Sequence, residues 1–522
     1  MKKGLFILII VAFSSYNVFA QLIDKGFRKT IKNFYVNEKI LDFTWQTPEI
    51  DISQNHNEDS KDCKLAIDDN NTLYLVYNDD KQVNDAIQKI WFTKKTEGGT
   101  WEAPIVLDGD WPTTPYNEIG ANATMPNIAV APNGDIYVIW LMWDFPGRIL
   151  TYTKYDASAD AWNVIDTISQ AQGSLDSWYF PQIYCTDSSN PVIFWGQDDR
   201  TGTNECYMKY NDGTSWSDDI LISENDSFDA AEPKITKLPG NKSIVIFREG
   251  VDADTIAVKY RIYDEITHTL SPIKRVPGAE YLSNTYYHNF KIALKNQQTA
   301  LMGMWVYESG TNPVVNKFIV WNYDISNDEF VKSTNELIFS ESSSINQKYF
   351  DIKFNQNEEC AFVYSNSYDH YIYYTEYDET NGFSTPVRIS TQPAVAAGEV
   401  PSIAFDSNNN LHICFADDRY DTNNDGYLDR DIFYLEGAEN TTFSEKLITQ
   451  NNFNIFPNPV KNKIHIITNK AQGNKIIIYN SLGDDVKEVF STENETDINI
   501  EDLKPGMYFI KIGNEIQKII KL

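Results

Sequence analysis

Side chains that could bind and process a sugar recur at two kinds of loop in this 522-residue chain. One kind precedes a short apolar segment and carries tyrosine, tryptophan and histidine, whereas the other follows a strongly apolar segment and carries arginine or carboxylates. Aromatic rings stack on sugar faces, and guanidinium and carboxylate groups orient sugar hydroxyl or carboxylate groups, so this combination predicts a carbohydrate site. The candidates are Trp143, Asp144, Trp178, Tyr179, Arg200, Arg248, Tyr287, His288 and Arg419.

The charged candidates also have a structural interpretation. An Asp-Asp-Arg sequence ends both at Arg200 and at Arg419, and a feature that repeats between units is typical of an internal salt bridge. Arg248 lacks the Asp-Asp prefix, so ligand binding and packing explain it equally well. His288 is one of six histidines, and a single histidine is often only a hydrogen-bonded polar residue.

A second constellation has the spacing of a calcium-binding loop. Oxygen-bearing side chains occupy positions 1, 3, 5 and 9 of a segment that starts at Asp421, and glycine occupies position 6, as in an EF-hand loop. Position 12 is Ile432, so the bidentate glutamate is missing. Hard oxygen ligands favour Ca²⁺ over transition metals. The predicted ligands are Asp421, Asn423, Asp425 and Asp429, and the alternative is a solvated turn.

The elements that must position these residues repeat seven times between residues 62 and 450. Each unit contains a short apolar strand, a polar turn, a strongly apolar strand, an aromatic strand and a closing strand, with the alternation typical of β-structure. Such units predict an all-β, seven-bladed β-propeller, and a sandwich array or solenoid is the alternative. The first apolar residues of the units, here called the anchors, are Leu65, Ile128, Ile183, Ile235, Ile292, Ile352 and Ile403.

Two segments compete to close the ring. Residues 43–52 resemble a fourth strand ahead of the first unit, yet residues 442–448 offer the last unit a fourth strand of its own. The sequence leaves this choice open. In either arrangement the two kinds of candidate loop open on the same face of the propeller.

Two turns, at residues 96–101 and 211–216, are similar to the Asp-box of sialidases. On these residues the chain resembles the sialidase-like, BNR-repeat propellers, in which such turns are structural. The chain departs from true sialidases because it has no Arg-Ile-Pro motif near the first unit. A sialidase-type glycosidase would need an arginine triad, for which Arg200, Arg248 and Arg419 are the candidates.

The chain also resembles secreted propellers of this group that are polysaccharide lyases on ulvan, a sulfated polysaccharide rich in uronic acid. In them a tyrosine or histidine removes the proton beside the carboxylate, and an arginine or histidine offsets the carboxylate charge. The resemblance implies catalytic roles for Tyr179, Arg248, Tyr287 and His288, although Asn122 stands where such lyases are expected to carry a histidine. A non-catalytic glycan-binding or adhesive surface propeller is the alternative function.

The two ends of the chain carry export signals. A Lys-Lys pair, an apolar run and small residues at a cleavage site predict a secretory signal peptide over residues 1–20, followed by an N-terminal segment at 21–61. Residues 451–522 resemble the type A sorting domain of the type IX secretion system, through IFPNPV at 455–460 and LKPGMYFIKI at 503–512. This implies a small β-sandwich, handling by that machinery and a secreted or cell-surface location. An ordinary Ig-like module is the alternative.

Charge and cysteine content limit the partners and the chemistry. The formal net charge of −30 opposes nucleic acid and anionic membranes, although a local basic funnel could still hold an acidic polysaccharide. Apart from the signal, no apolar stretch reaches the length of a membrane span. Five cysteines are too few for a disulfide framework. Cys185 with Cys206, or Cys63 with Cys414, could form a bridge, and buried free thiols are the alternative.

Overall fold

The computed structural model describes residues 43–54, 59–79, 88–108, 122–144, 147–170, 181–198, 203–282, 286–308, 315–339, 348–366, 369–393, 401–420, 429–439, 453–468, 474–480, 485–491, 495–512 and 515–522. Within these ranges the chain forms strands, turns and bends but no helix, and so no helix that could span a membrane. The chain divides into two compact units between Asn440 and Thr441, slightly before the predicted boundary at 450.

The first four sheets of the larger unit follow one another along the chain, and each is antiparallel. From the innermost strand outward, blade one contains Lys61–Ile67, Leu73–Asp79, Lys89–Lys95 and Ile105–Val106. Blade two contains Asn122–Val130, Ile136–Asp144, Gly147–Asp156, and Ala161–Trp162 with Asp166–Gln170. Blade three contains Gln182–Cys185, Pro191–Asp198, Asn204–Tyr210 and Ile220–Leu221. Blade four contains Ala230–Leu238, Lys242–Gly250, Thr255–Asp264, and Thr269–Leu270 with Lys274–Leu282.

Three further sheets complete the propeller. Blade five contains Tyr286–Leu294, Thr299–Glu308, Val315–Asp324 and Glu329–Ile338. Blade six contains Lys348–Phe354, Cys360–Asn366, Ile372–Asp378, and Gly382–Phe383 with Val387–Arg388. Blade seven contains Ser402–Phe405, Leu411–Asp417, Asp431–Glu439, and Phe43–Trp45 with Ile50–Asp51. All seven anchors lie in innermost strands, as predicted.

The seven sheets form a closed ring. Each innermost strand contacts the innermost strand of the next blade, and the innermost strand of blade seven contacts that of blade one. Apolar clusters fill the spaces between neighbouring blades, as a closed propeller requires. Within the described ranges the larger unit therefore consists of seven sheets in a β-propeller arrangement, and the prediction of an all-β propeller is confirmed.

The N-terminal segment closes the ring. Phe43–Trp45 and Ile50–Asp51 pair antiparallel with the third strand of blade seven, so blade seven combines both ends of the propeller sequence. A Cβ on Gly437 would lie 2.7 Å from the Trp45 ring, so the glycine lets this indole lie directly on the strand. The competing segment, residues 442–448, lies outside the described residues.

A repeated aromatic contact joins the blades at their outer rim. An aromatic ring at the turn or strand that ends a blade packs on an aromatic ring in the third strand of the preceding blade. The ring pairs and centroid distances are Trp101–Tyr434 (5.1 Å), Trp162–Phe92 (4.9 Å), Trp216–Tyr152 (5.3 Å), Phe330–Tyr260 (5.0 Å), Phe383–Phe318 (6.3 Å) and Trp45–Tyr374 (5.6 Å). Both Asp-box-like turns contribute a tryptophan to this set, which agrees with their predicted structural role.

The smaller unit is a two-sheet β-sandwich. One sheet has the order Phe453–Phe456, Lys463–Thr468 and Glu495–Asn499. The other has the order Asp485–Ser491, Asn474–Asn480, Gly506–Ile512 and Glu515–Lys521. Isoleucines from both sheets, such as Ile464, Ile478 and Ile510, are fully buried between them.

Candidate anion-binding site in the central channel

One polar position recurs at the centre of the propeller. It is the residue immediately before each anchor, and it therefore occupies the same level of every innermost strand. We call these residues the channel ring: Lys64, Asn127, Gln182, Lys234, Lys291, Asp351 and Ser402. Several of them reach to the next blade. Ser402 Oγ accepts a hydrogen bond from Leu65 N at 3.0 Å, and Asp351 Oδ2 accepts one from Ile403 N at 3.1 Å.

Irregular backbone precedes the channel ring in three blades. Asp62, Met125 and Glu232 have φ angles of 54°, 54° and 57°, and each lies in a β-bulge of its innermost strand. A positive φ is strained for residues other than glycine, and a bulge changes the direction in which side chains point. The bulges in blades one and four each place a carboxylate two residues before a channel-ring lysine, at Asp62 and Glu232.

The three lysines of the channel ring share one electrostatic environment. Burial lowers the pKa of Lys291 to about 7; Asp351 opposes this shift, while Lys234 and Lys64 reinforce it. Burial likewise lowers the pKa of Lys234 to about 8; Glu232 opposes the shift, and Lys64 and Arg248 reinforce it. Residues from blades one, four and five thus repel one another across the channel. Burial is the largest cause of both shifts, and the carboxylates of Asp351 and Glu232 offset part of the lysine charge.

Arg248 lies beside this cluster on the mouth side of blade four. Its Nη2 atom forms an ion pair with Glu232 Oε1 at 3.0 Å, and the Arg248 side chain is 26% exposed. Its Nε atom is buried and has no hydrogen-bond partner among the described residues. The charges of Arg248 and Glu232 both act on the buried phenol of Tyr281. The exposed part of the guanidinium group is therefore where an anionic ligand could compete with Glu232.

Arg419 has a different environment. Its guanidinium group contacts Asp417, lies 3.2 Å from Glu49 and stacks 4.1 Å from the ring centroid of Phe433. Only 3% of the Arg419 side chain is exposed. Glu49 also accepts hydrogen bonds from Thr391 N and Oγ1, each at 2.6 Å. The structure thus places Arg419 in an internal network that ties the closing segment to blades six and seven, as the salt-bridge interpretation of its Asp-Asp-Arg sequence expects and unlike its predicted role in sugar binding.

The backbone places four other predicted residues at the mouth. Tyr287 and His288 lie in the innermost strand of blade five, four and three residues before Lys291, opposite Tyr307 and Val306 of the second strand. Trp143 and Asp144 end the second strand of blade two, and Trp143 lies opposite Asn122. The structure does not describe the side chains of these residues.

The remaining predicted residues lie mostly outside the described residues. These are Trp178, Tyr179 and Arg200 of the carbohydrate site, and Asp421, Asn423 and Asp425 of the calcium loop. Asp429 is described and is 3% exposed. Within the described ranges no group of three or more histidine, cysteine or acidic side chains could hold a metal ion. Calcium binding at 421–429 remains a prediction.

A separate cavity of about 950 Å³ lies at the rim between blades seven and one. The closing segment and the Asp-box-like turn of blade one form its walls, and Trp45, Trp101, Lys95 and Glu436 line it. The indole N–H groups of Trp45 and Trp101 are buried and have no hydrogen-bond partner among the described residues. The cavity contains none of the residues that the sequence nominated.

The three lysines of the channel ring are not among the residues predicted from the sequence. An alignment of the units on their anchors would identify them, because the residue before the anchor is lysine in blades one, four and five. A lysine beside a short apolar strand is normally interpreted as its solvated end. Only closure of the ring brings Lys64 near Lys234 and Lys291.

Residues 454–522 match the family described as the secretion system C-terminal sorting domain. With the two-sheet sandwich, this match confirms the sorting domain and indicates export by type IX secretion to the cell surface or the medium. A segment of 67 residues is 37% identical to beta-agarase A of Zobellia galactanivorans. It covers 13% of this chain and 12% of the length of that enzyme.

Several solved propeller structures are similar to the chain at low identity. Polysaccharide lyase Uly1 is 10% identical, with 72% of this chain and 89% of that chain covered and a TM-score of 0.44. The GH93 α-L-arabinofuranosidase of Fusarium graminearum is 11% identical, with coverage of 76% and 98% and a TM-score of 0.43. The NanB sialidase of Streptococcus pneumoniae is 11% identical, with coverage of 74% and 69% and a TM-score of 0.40. These include the types that the sequence resembles, but values this low carry no argument about activity.

Proposed function

We propose that this exported propeller is a polysaccharide lyase that cleaves an acidic, uronic-acid-containing glycan of the ulvan type by β-elimination. The observation that carries the proposal is the group of cations in the central channel, Lys64, Lys234 and Lys291, with Arg248 beside it. This group occurs in a chain with a formal net charge of −30. A local cationic site within an acidic protein is what an anionic substrate requires.

The chemistry needs a cation because the proton to be removed lies next to a carboxylate. When the carboxylate charge is offset, a base can take the C5 proton of the uronate. The C5–H electron pair then forms the C4–C5 double bond, and the bond from C4 to the leaving oxygen breaks. That oxygen takes a proton from an acid or from water, so the products are a new chain end and an unsaturated uronate.

The positions of Arg248 and Lys291 support their proposed roles, and the other roles rest on the sequence prediction. Arg248 and Lys291 hold the carboxylate, and Tyr179, Tyr287 and His288 are the candidates for the proton acceptor and donor. Trp143, Asp144, Trp178 and Arg200 are proposed to contact neighbouring sugars. The proposed calcium at Asp421, Asn423, Asp425 and Asp429 would stabilise a loop of blade seven, and chelation would then lower the melting temperature.

The test measures the ultraviolet absorbance of the unsaturated product while the full chain is incubated with a panel of uronic-acid polysaccharides. We expect an increase with the wild type and a loss of at least tenfold in rate for Arg248→Gln. Arg275→Gln is the matched control, because Arg275 is an exposed arginine of the same blade, with 54% of its side chain accessible. Wild-type absorbance that stays flat across the panel would exclude the lyase.

A non-catalytic glycan-binding propeller is the second candidate, and the rim cavity favours it. Trp45 and Trp101 offer aromatic surface there, which is suited to binding sugar without reaction. In that case glycan binding would persist without an increase in absorbance, and Trp101→Ala would weaken it more than Arg248→Gln. A sialidase-type glycosidase has less support, because Arg419 of the proposed triad is buried in its own ion pairs.

A further inference from the structure

Two of the five cysteines meet where the ring closes. Cys63 lies in the innermost strand of blade one and Cys414 in the second strand of blade seven, with exposed fractions of 1% and 0%. Both belong to the apolar cluster between these blades, and the Cys63 side chain acts on the pKa of the Cys414 thiol. Cys414 lies opposite Ser402 in the sheet, and Ser402 accepts the hydrogen bond from Leu65 N that links the blades.

The other possible pair does not meet. Cys185 and Cys206 both belong to blade three, but Cys185 packs in the cluster shared with blade two. Cys206 packs in the cluster shared with blade four. The two thiols therefore face opposite sides of their sheet. Of the two pairs that the sequence allows, the structure brings together only the one that spans the ring closure.

We propose that Cys63 and Cys414 form a disulfide bond during export, which covalently closes the propeller. The signal peptide and the sorting domain direct the chain through compartments in which disulfides form. A disulfide-bearing oxidant of the thiol oxidoreductase class supplies the oxidising equivalents. One cysteine thiolate attacks it to give a mixed disulfide, and the second thiolate displaces the other sulfur. Two protein thiols and one oxidant disulfide thus become one protein disulfide and two oxidant thiols.

The burial of both thiol groups indicates when the disulfide bond forms. Both sulfur atoms are inaccessible in the closed ring, and burial raises the pKa of Cys414 well above its usual range, which suppresses the reactive thiolate. Oxidation therefore takes place while blades one and seven are still docking. Once formed, the bond is shielded from reductants as long as the ring stays closed, and it becomes accessible when the protein melts. It joins positions that are far apart in sequence, where a cross-link most restricts the unfolded chain.

The experiment counts thiols in the full chain after export into the periplasm of a bacterial host. The protein is denatured at acidic pH, alkylated without reduction and mapped by mass spectrometry. We expect three alkylated cysteines and a linked peptide pair that contains Cys63 and Cys414. Five alkylated cysteines, or a linked pair with any other partner, would overturn the proposal. This count needs no variant and no glycan, so it stands apart from the proposed activity.

Two variants test the stabilising role. Cys360→Ser is the matched control, because Cys360 is equally buried but lies in blade six. We expect reductant to lower the melting temperature of wild type and of Cys360→Ser by several degrees. It should have no effect on the Cys63→Ser, Cys414→Ser double variant. An equal response in all three proteins would contradict the proposed bond.

Discussion

Two arginines near the mouth of the propeller, in blades seven and four, have opposite surroundings. Arg419 contacts Asp417 and Glu49 and is almost completely buried, whereas Arg248 pairs with Glu232, is 26% exposed and has a buried Nε atom without a hydrogen-bond partner among the described residues. Arg419 belongs to an Asp-Asp-Arg sequence that occurs in two blades, and Arg248 belongs to no repeat. The comparison indicates that features repeated between blades hold the ring together, and that unrepeated charges are the better candidates for binding.

Exchange of each arginine for glutamine should separate the two roles most strongly. Arg419→Gln leaves Glu49 and Asp417 buried without their counter-charge, and breaking a buried pair of this kind costs roughly 3–5 kcal/mol. Arg248→Gln breaks a partly exposed pair and should cost about 0–1 kcal/mol. Chemical unfolding of both full-length variants measures the difference.

For glycan affinity we expect the opposite ranking, with a larger loss in Arg248→Gln than in Arg419→Gln. Arg248→Gln should weaken binding of an acidic polysaccharide, while the Arg419→Gln protein that remains folded should bind normally. The exposed Arg275→Gln variant should match wild type in both assays. If Arg419→Gln kept full stability and lost binding, repetition between blades would be no guide to function.

Substitution of Lys291 should have the next largest effect on glycan affinity and stability. Lys291→Met removes a cation that burial and other lysines disfavour, and also removes a contact for an anionic ligand. We expect affinity for an acidic glycan to fall roughly ten- to hundredfold, or about 1.4–2.7 kcal/mol. The melting temperature at neutral pH should rise at the same time. Calorimetry and glycan titration give the two readouts.

The stability change in Lys291→Met has a definite pH dependence. Because the folded-state pKa is about 7 and the ordinary value is 10.5, the unfolded chain binds more protons between these values. Wild-type stability therefore rises with pH in this window through Lys291, and the variant should lack that contribution. Lys242→Met, at an exposed position of blade four, should change neither affinity nor the pH profile. Lower stability in Lys291→Met at neutral pH would contradict the proposed repulsion.

The fold was largely predictable because the apolar pattern and the turn residues of each unit all indicate short β-strands. The anchors Ile128 and Ile403, for example, precede polar turns and apolar strands that can only be packed as sheets, and the structure places them in innermost strands. Ring closure was not predictable, since residues 43–52 and 442–448 have similar alternation. The third strand of blade seven has one available edge, and Trp45 fits it by packing on Gly437 and Tyr374.

The candidate site was less predictable, because its members meet only through closure. Lys64, Lys234 and Lys291 come from three different blades, and nothing local distinguishes them from solvated lysines. The arginines show the opposite difficulty. Arg419 was a binding candidate despite an Asp-Asp-Arg context typical of a salt bridge; Asp417 of that motif pairs with it, as does Glu49, which is distant in sequence. Both local and remote charge partners in the closed ring thus determine the environment of each cation.

The repeated aromatic contacts at the outer rim are an apolar feature that, like the Asp-Asp-Arg sequence, occurs in several blades. Trp216 packs at 5.3 Å on Tyr152 of the preceding blade, and corresponding rings occur in five other blades of the described structure. Trp216→Ala should therefore lower stability by roughly 1–3 kcal/mol without changing glycan affinity, while Trp216→Phe should recover much of the loss. Chemical unfolding and glycan titration test this, and a selective loss of binding in Trp216→Ala would show that repeated aromatics also contact the glycan.

The smallest expected effect is the pH dependence of binding in the wild-type protein. Lys291 and Lys234, with pKa values of about 7 and about 8, lose their charge as pH rises through these values. An acidic glycan keeps its carboxylates ionised over this range, so its affinity should fall several-fold between about pH 6 and pH 9. Bound anions favour protonated lysine, so the midpoint of this change should lie above the pKa of the free protein. Titration of wild type and Lys291→Met in buffers of constant ionic strength measures it. The variant should lose the step near pH 7 and keep a weaker one due to Lys234. An identical profile in both proteins would assign the titration to a group outside the channel ring, and Arg248 would then be the principal cation of the site.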